Sequence, residues 1–514
     1  MTMTPTPTPL PDPRSDRSWT IAPTFVAFVA CLALGLVIRD GGVRALADRL
    51  TARRVTPPPA AMPGVEPRTT PGGHPDAADL APPEPIALGD HGDRAQVNAL
   101  EDVCLDPAAP SAPSAPASAS PPPSASRPAC KRWAMDSFYD ALAATKRGTL
   151  GHPVRVSWYG DSVSASDEIP GEVRSRLQST FGDGGPGFVF VTPPHRFCAH
   201  QGLTRFATGT WRTYGVSTTH VPGRRYSVGG SVTETTDGAA TIKLTSGRAT
   251  HAELYYEARP GAGTATLTAD GVDVATIDTR ATAATAATAA TAATAGTAAT
   301  AATAATAGYA TVALPGGAVK LKLAASGAVR VYGLNLETDA GAVVDNLGLV
   351  SVNVKNFAAR DAQDFAAGIG HRAADLIVIL IGANEAEWLS PGDRDMKEYE
   401  TNFALAIAPF RAGRPGASCL VMSPTDQAAA MPSGYVSRPV MPVLVQAQRR
   451  AAHAQGCAFY STYAWMGGHG SAARWFAAGL VGTDFQHLSK RGAMKLADAF
   501  YATLMTGLDR HEQH

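Results

Sequence analysis

The chain has 514 residues, 45% of them hydrophobic, and its 44 Lys+Arg balance its 44 Asp+Glu to a net charge of zero. With no positive excess to hold a phosphate backbone, nucleic acid is a poor candidate partner. The first roughly 130 residues are rich in Pro, Ala and Ser, which leaves about 380 for one large folded domain and a smaller one.

Residues 1–19 form a polar N-terminal tail. Residues 20–38 read as a transmembrane signal anchor: the run from Ile21 to Ile38 is interrupted only by Pro23 and Thr24 and lies between Arg17 and Arg39. A cleaved signal peptide is the alternative. Arg39, Arg44, Arg49, Arg53 and Arg54 follow the run while only Arg14 and Arg17 precede it, so charge alone argues against export of the C-terminal part. The Pro/Ala-rich residues 39–130 argue the other way: they offer too little apolar surface to offset chain entropy and read as a disordered linker, whose natural use is a tether. Cys104 and Cys130 flank its proline-rich segment, and either close a loop in an oxidising compartment or stay free thiols.

Folded structure is expected from Lys131, where Trp133, Phe138, Leu142 and Ala143 fall at helical spacing. A strand follows from Val154 to Tyr159, then a helix from Pro170 to Thr180. The runs from Leu376 to Ile381, Cys419 to Met422 and Cys457 to Tyr460 are continuously apolar, as strands buried on both faces are. The fold class is therefore α/β: an open parallel sheet sandwiched by helices, with reactive groups at the carboxyl ends of the strands. Residues 131–194 and 342–514 make up this domain. Between them, residues 195–341 change to alternation and turns and read as an inserted β-sandwich. Within the insert, Thr recurs every third residue from Thr282 to Thr306, a period that fits neither strand nor helix, so 279–308 read as an expanded low-complexity loop. Cys198, Cys419 and Cys457 lack ligand spacing, and Cys419 and Cys457 read as small buried thiols. No metal or cofactor site is expected.

Gly160-Asp161-Ser162-Val163 puts a serine where the first strand turns into a helix. Serine needs a base to take its proton, and the base needs a carboxylate to fix its tautomer. Asp484 and His487 supply both, three residues apart on one turn. Asn384, in Gly382-Ala383-Asn384-Glu385 after a buried strand, presents an amide that serves as oxyanion donor, as helix N-cap, or as both. Asp167 and Glu168 read as helix-start residues, His469 as a solvated loop histidine, and Trp158, Trp388, Trp465 and Trp475 as core before sugar platforms.

These blocks resemble the SGNH/GDSL hydrolase superfamily. Gly182-Asp-Gly-Gly-Pro-Gly-Phe188, Tyr332-Gly-Leu-Asn-Leu-Glu337 and Met466-Gly-Gly468 resemble more closely the bacterial peptidoglycan O-acetylesterase branch. The resemblance covers about 133–508 and implies a flavodoxin-like three-layer α/β/α sandwich, interrupted by a module similar to carbohydrate-binding modules. It implies Ser162 as nucleophile, His487 as base, Asp484 as its orienter, and the Ser162 N–H and Asn384 as oxyanion donors. The family's second block reads Gly-x-x-Gly, and here Ser351 stands where the later glycine would donate its N–H.

The function so implied is an extracytoplasmic serine esterase, membrane-anchored with its domain in the periplasm or cell exterior. It would remove O-acetyl groups from a polysaccharide, foremost peptidoglycan. An O-acetyltransferase with the same triad and a non-catalytic glycan-binding protein are the rival readings, and the oligomeric state is left open.

Overall fold

The strands Val154–Gly160, Ala342–Gly348, Leu376–Leu380, Ser418–Met422 and Ala458–Tyr460 run parallel, and in chain order they lie side by side as 2-1-3-4-5. This is the flavodoxin-like order, whose ligand crevice opens between strands 1 and 3 at their carboxyl ends. The register sets Leu376 beside Val156 on one side and beside Ser418 on the other. Every residue of Leu376–Leu380 and of Ser418–Met422 is buried, because helices cover both faces. The computed structural model describes residues 96–107, 130–281, 305–431 and 434–513.

Period-two alternation sorts the side chains. Val154, Val156 and Trp158 enter a core with Phe138 and Leu142 of the helix Asp136–Lys146, Val173 of Glu168–Phe181, and Leu496 and Phe500 of Lys490–Glu512. Tyr159, Ile377 and Ile379 enter the opposite core with Phe365 of Ala362–Arg372, Phe403 and Phe410 of Asp393–Gly413, and Leu444 of Val440–Ala454. Each such aliphatic or aromatic side chain contributes about 1.5–3 kcal/mol by leaving water. The result is three layers with the sheet in the middle.

Between the helix Glu168–Phe181 and the strand Ala342–Gly348 the chain builds two antiparallel sheets. One contains Leu203–Thr208, Ala239–Leu244, Thr264–Ala269, Val272–Asp278 and Lys320–Ser326. The other contains Arg212–Gly215, Ser231–Thr235, Ala249–Ala258, Thr306–Ala318 and Val329–Glu337. Ile242, Leu254, Leu267, Leu321 and Leu334 close the core between them. The sandwich begins before residue 195, since Gly187–Val189 already pairs with Val329–Glu337. Its apolar residues look the same in either domain, so composition placed the junction late.

An ion-pair network fastens the sandwich to the parallel sheet. Glu337 takes Arg155 and Arg372, each at 2.8 Å, while Arg372 also reaches Asp345 at 2.7 Å. Burial alone would raise the Glu337 carboxyl, but Arg372 and Arg155 outweigh it and hold it near 2. Asp345 also accepts the Phe188 N–H at 2.8 Å. Gly187 sits at φ 79°, and a Cβ there would lie 2.5 Å from the Asp345 carboxylate. Two of the strings that carry the resemblance, 182–188 and 332–337, therefore form this junction.

Two further sequence expectations change. Residues 96–107, read as linker, are built into the fold: Leu100–Glu101 pairs antiparallel with Ala458–Tyr460 and Gln96–Val97 pairs with Leu100–Glu101, extending the sheet, while Cys104–Pro107 pairs with Cys130–Trp133. Leu100 is buried and Glu101 pairs with Arg449, so tertiary contacts order a segment that local composition would not. Cys419 and Cys457, read as thiols, form a disulfide, as do Cys104 and Cys130. Adjacent parallel strands bring the first pair together from 38 residues apart. The stretch 20–38, most of the linker and nearly all of the Ala/Thr tract lie outside the described residues. Among the described residues no helix is long and apolar enough to cross a membrane.

Candidate active site

Ser162 opens the helix Ser162–Ala165 directly after the first strand. Asp161 caps that helix by accepting the Val163 N–H at 3.0 Å, and its other oxygen accepts the Ala383 N–H at 3.3 Å. One buried carboxylate thus ties the turn after strand 1 to the turn after strand 3. The serine is half-buried at the mouth of the crevice.

His487 arrives from the C-terminal loop. Its Nε2 stands 2.7 Å from Ser162 Oγ, and its Nδ1 stands 2.7 Å from Asp484 Oδ2. A carboxylate only accepts, so Nδ1 carries the ring proton and Nε2 is left to accept from the serine hydroxyl. Asp484 Oδ1 accepts the N–H groups of Gln486 and His487, each at 3.0 Å. Partial burial pushes the Asp484 carboxyl up, but these two bonds and the His487 ring outweigh it and hold it below its ordinary value. The loop is held in place by Phe485, which stacks on Tyr435 at 3.9 Å and packs on Phe476 at 4.4 Å.

Asn384 occupies the N-cap position of the turn Glu385–Glu387 but makes no cap hydrogen bond. Its Nδ2 instead donates to the Val352 carbonyl at 2.7 Å, leaving the second amide hydrogen for a ligand. That bond places it beside Ser351, which adopts φ 60°, the left-handed region that glycine favours. A non-glycine residue there costs roughly 1–2 kcal/mol, so the surroundings must hold it. Among the described residues, neither the Ser162 nor the Ser351 N–H donates to any group. The structure therefore brings Ser162, His487 and Asp484 together, and places Asn384 against the Ser351 loop.

Sequence reasoning gave no role to Glu385. It is fully buried; Oε1 accepts the Val354 N–H at 2.7 Å, and among the described residues Oε2 has no partner. Burial raises its carboxyl to about 7 against the Val354 bond, with Asp161 adding to the rise. Burial likewise raises Asp161 to about 6, against bonds from Val163 and Ala383 and the nearby His487. No sequence signal marks Glu385 beyond its place beside Asn384. Replacing it with Gln keeps an acceptor for Val354 and removes a titrating group. Between its ordinary value of 4.5 and about 7, the unfolded chain has released this proton and the folded chain still holds it. Wild-type stability therefore falls relative to E385Q as pH rises through that window and levels off above it. The gap should be small at about pH 4.5 and on the order of 3 kcal/mol at about pH 8, measured by urea unfolding of both proteins. A gap that does not grow with pH would contradict this assignment.

Asp167 stands at the N-cap position of the helix Glu168–Phe181, but its side chain makes no cap bond there and instead pairs with buried Arg174 and accepts the Gln201 N–H. Trp158 and Trp475 are core, while Trp388 is 50% exposed with the Lys355 ammonium 5.3 Å from its ring. Among the described residues no cluster of His, Cys, Asp or Glu could hold a metal ion.

A serine, a histidine and a carboxylate thus stand in line at the switch point of an open α/β sheet, an arrangement able to activate the serine hydroxyl as a nucleophile. No protein-family model matches the chain, and no curated protein sequence matches it. Among solved structures it is similar to a peptidoglycan O-acetylesterase, at 20% identity and a TM-score of 0.59, over 73% of this chain and 96% of that one. It also overlaps an acetylxylan esterase from Geobacillus stearothermophilus, at 22% identity and a TM-score of 0.24, over 32% of this chain and 72% of that one. The shared fold rests on the first.

Proposed function

We propose that this protein is a serine esterase that removes O-acetyl groups from a polysaccharide, with peptidoglycan as the polymer. The observation that carries the reading is the unbroken relay from Ser162 Oγ through His487 to Asp484, with both links at 2.7 Å. His487 Nε2 takes the serine proton as Oγ attacks the acetyl carbonyl. Negative charge then develops on the carbonyl oxygen, where the Ser162 and Ser351 N–H groups and the spare Asn384 amide hydrogen would stabilise it. His487 returns the proton to the departing sugar oxygen, and an acetyl-serine remains. Water, deprotonated by the same histidine, attacks that ester and frees acetate.

The choice of substrate is supported by the overall likeness to a peptidoglycan O-acetylesterase. An extracytoplasmic location is supported by the two disulfides, which persist in oxidising compartments. In this reading residues 20–38 anchor the chain and residues 39–95 hold the domain away from the membrane.

Acetate released from O-acetylated peptidoglycan, by the wild type and by S162A, tests the proposal. Release that depends on Ser162 is the expected result. Turnover of a small acetate ester without release from the polymer would refute peptidoglycan as the substrate.

A further inference from the structure

A side-chain hydrogen bond from the insert holds the loop that carries Ser351. Ser217, in the turn after the insert strand Arg212–Gly215, donates its hydroxyl to the Val350 carbonyl at 2.8 Å. That carbonyl belongs to the same planar peptide unit as the Ser351 N–H, and in a trans peptide the two point in opposite directions. Holding the oxygen end therefore aims the nitrogen end. The same bond polarises the amide and makes its N–H a stronger donor.

The turn that presents Ser217 is itself fixed. Its Thr218 N–H returns to the Gly215 carbonyl at 3.2 Å, and the Gly215 N–H reaches the Thr219 carbonyl at 3.1 Å. The Val216 N–H bonds the Gly230 carbonyl at 3.1 Å, and the Val216 side chain is buried in one core with Leu349 and Val352. On its other side the loop is gripped by Asn384 at the Val352 carbonyl and by Glu385 at the Val354 N–H. Ser351, strained at φ 60° between these grips, is thus held from the insert as well as from the α/β domain.

We propose that Ser217 is a positioning residue for catalysis. It orients the Val350–Ser351 peptide so that its N–H faces the developing oxyanion, which makes the insert part of the active site. This rests on the esterase reading above.

The test measures kcat and KM on a small acetate ester, and thermal stability, for full-length wild type, S217A, S217T and S217V. Ser217→Ala should lower kcat by about tenfold to 100-fold with KM within about twofold, since a misaimed donor weakens the transition state and not ground-state binding. Ser217→Thr, which keeps the hydroxyl, should recover most of the rate, and Ser217→Val, of matched size, should not. If S217A does not fold, the Thr and Val pair decides. Folded S217A with wild-type kcat, or Thr and Val variants equally impaired, would overturn the inference alone. Wild-type protein without Ser162-dependent turnover would overturn the esterase reading and this inference together.

Discussion

Ser162→Ala should lower kcat on a small acetate ester by about 10^4- to 10^6-fold while the protein keeps its thermal stability. The size follows from the loss of the covalent route: without Oγ there is no acyl-enzyme, and water must attack the carbonyl directly. What survives is the contribution of oxyanion donors, and these remain because the Ser162 N–H belongs to the backbone. Stability should be spared because among the described residues Ser162 Oγ makes one hydrogen bond, to a partly exposed histidine, and fills no core position. Steady-state kinetics and a melting curve on the same preparation check both halves. A loss below about tenfold would place the nucleophile elsewhere.

Asp484→Asn should cost about 10^3-fold in kcat with KM little changed. The asparagine oxygen can still accept the Gln486 and His487 N–H groups, so the turn survives. Its amide hydrogens would face His487 Nδ1 and impose the tautomer with the proton on Nε2, which cannot accept from the serine. A buried triad carboxylate commands about 10^4. Asp484 is half exposed, so water can partly replace it and screen its charge, and the expected loss is smaller. Asp484→Ala should be as slow and less stable, because it also removes the acceptor for the two N–H groups. Kinetics and melting of the Asn and Ala variants side by side check this, and wild-type kcat in D484N would remove Asp484 from the mechanism.

What the sequence revealed follows from where the information is local. Continuous apolar runs at Leu376–Leu380 and Ser418–Met422 announced strands covered on both faces, and the mixed α/β reading followed from them. Ser162, Asn384, Asp484 and His487 were each legible because a strand end or a tight turn sets them within a few residues. Contacts distant in sequence were not legible. Ser217 meets Val350 across 133 residues, and nothing near it distinguishes it from other turn serines. The short strands Gln96–Val97 and Leu100–Glu101 sit in a segment whose composition predicts disorder, and they owe their order to the pairing of Leu100–Glu101 with Ala458–Tyr460 and to the burial of Leu100. Ser351 lay between: its departure from glycine was visible, but its left-handed backbone and the grips that sustain it were not.

The acyl-enzyme itself is the most direct test. Wild-type protein mixed with an acetate ester and quenched in acid within one turnover should carry the mass of one acetyl group, and peptide mapping should place it on Ser162. An acetyl group on another residue, or steady release of acetate with no acetylated protein, would contradict the account.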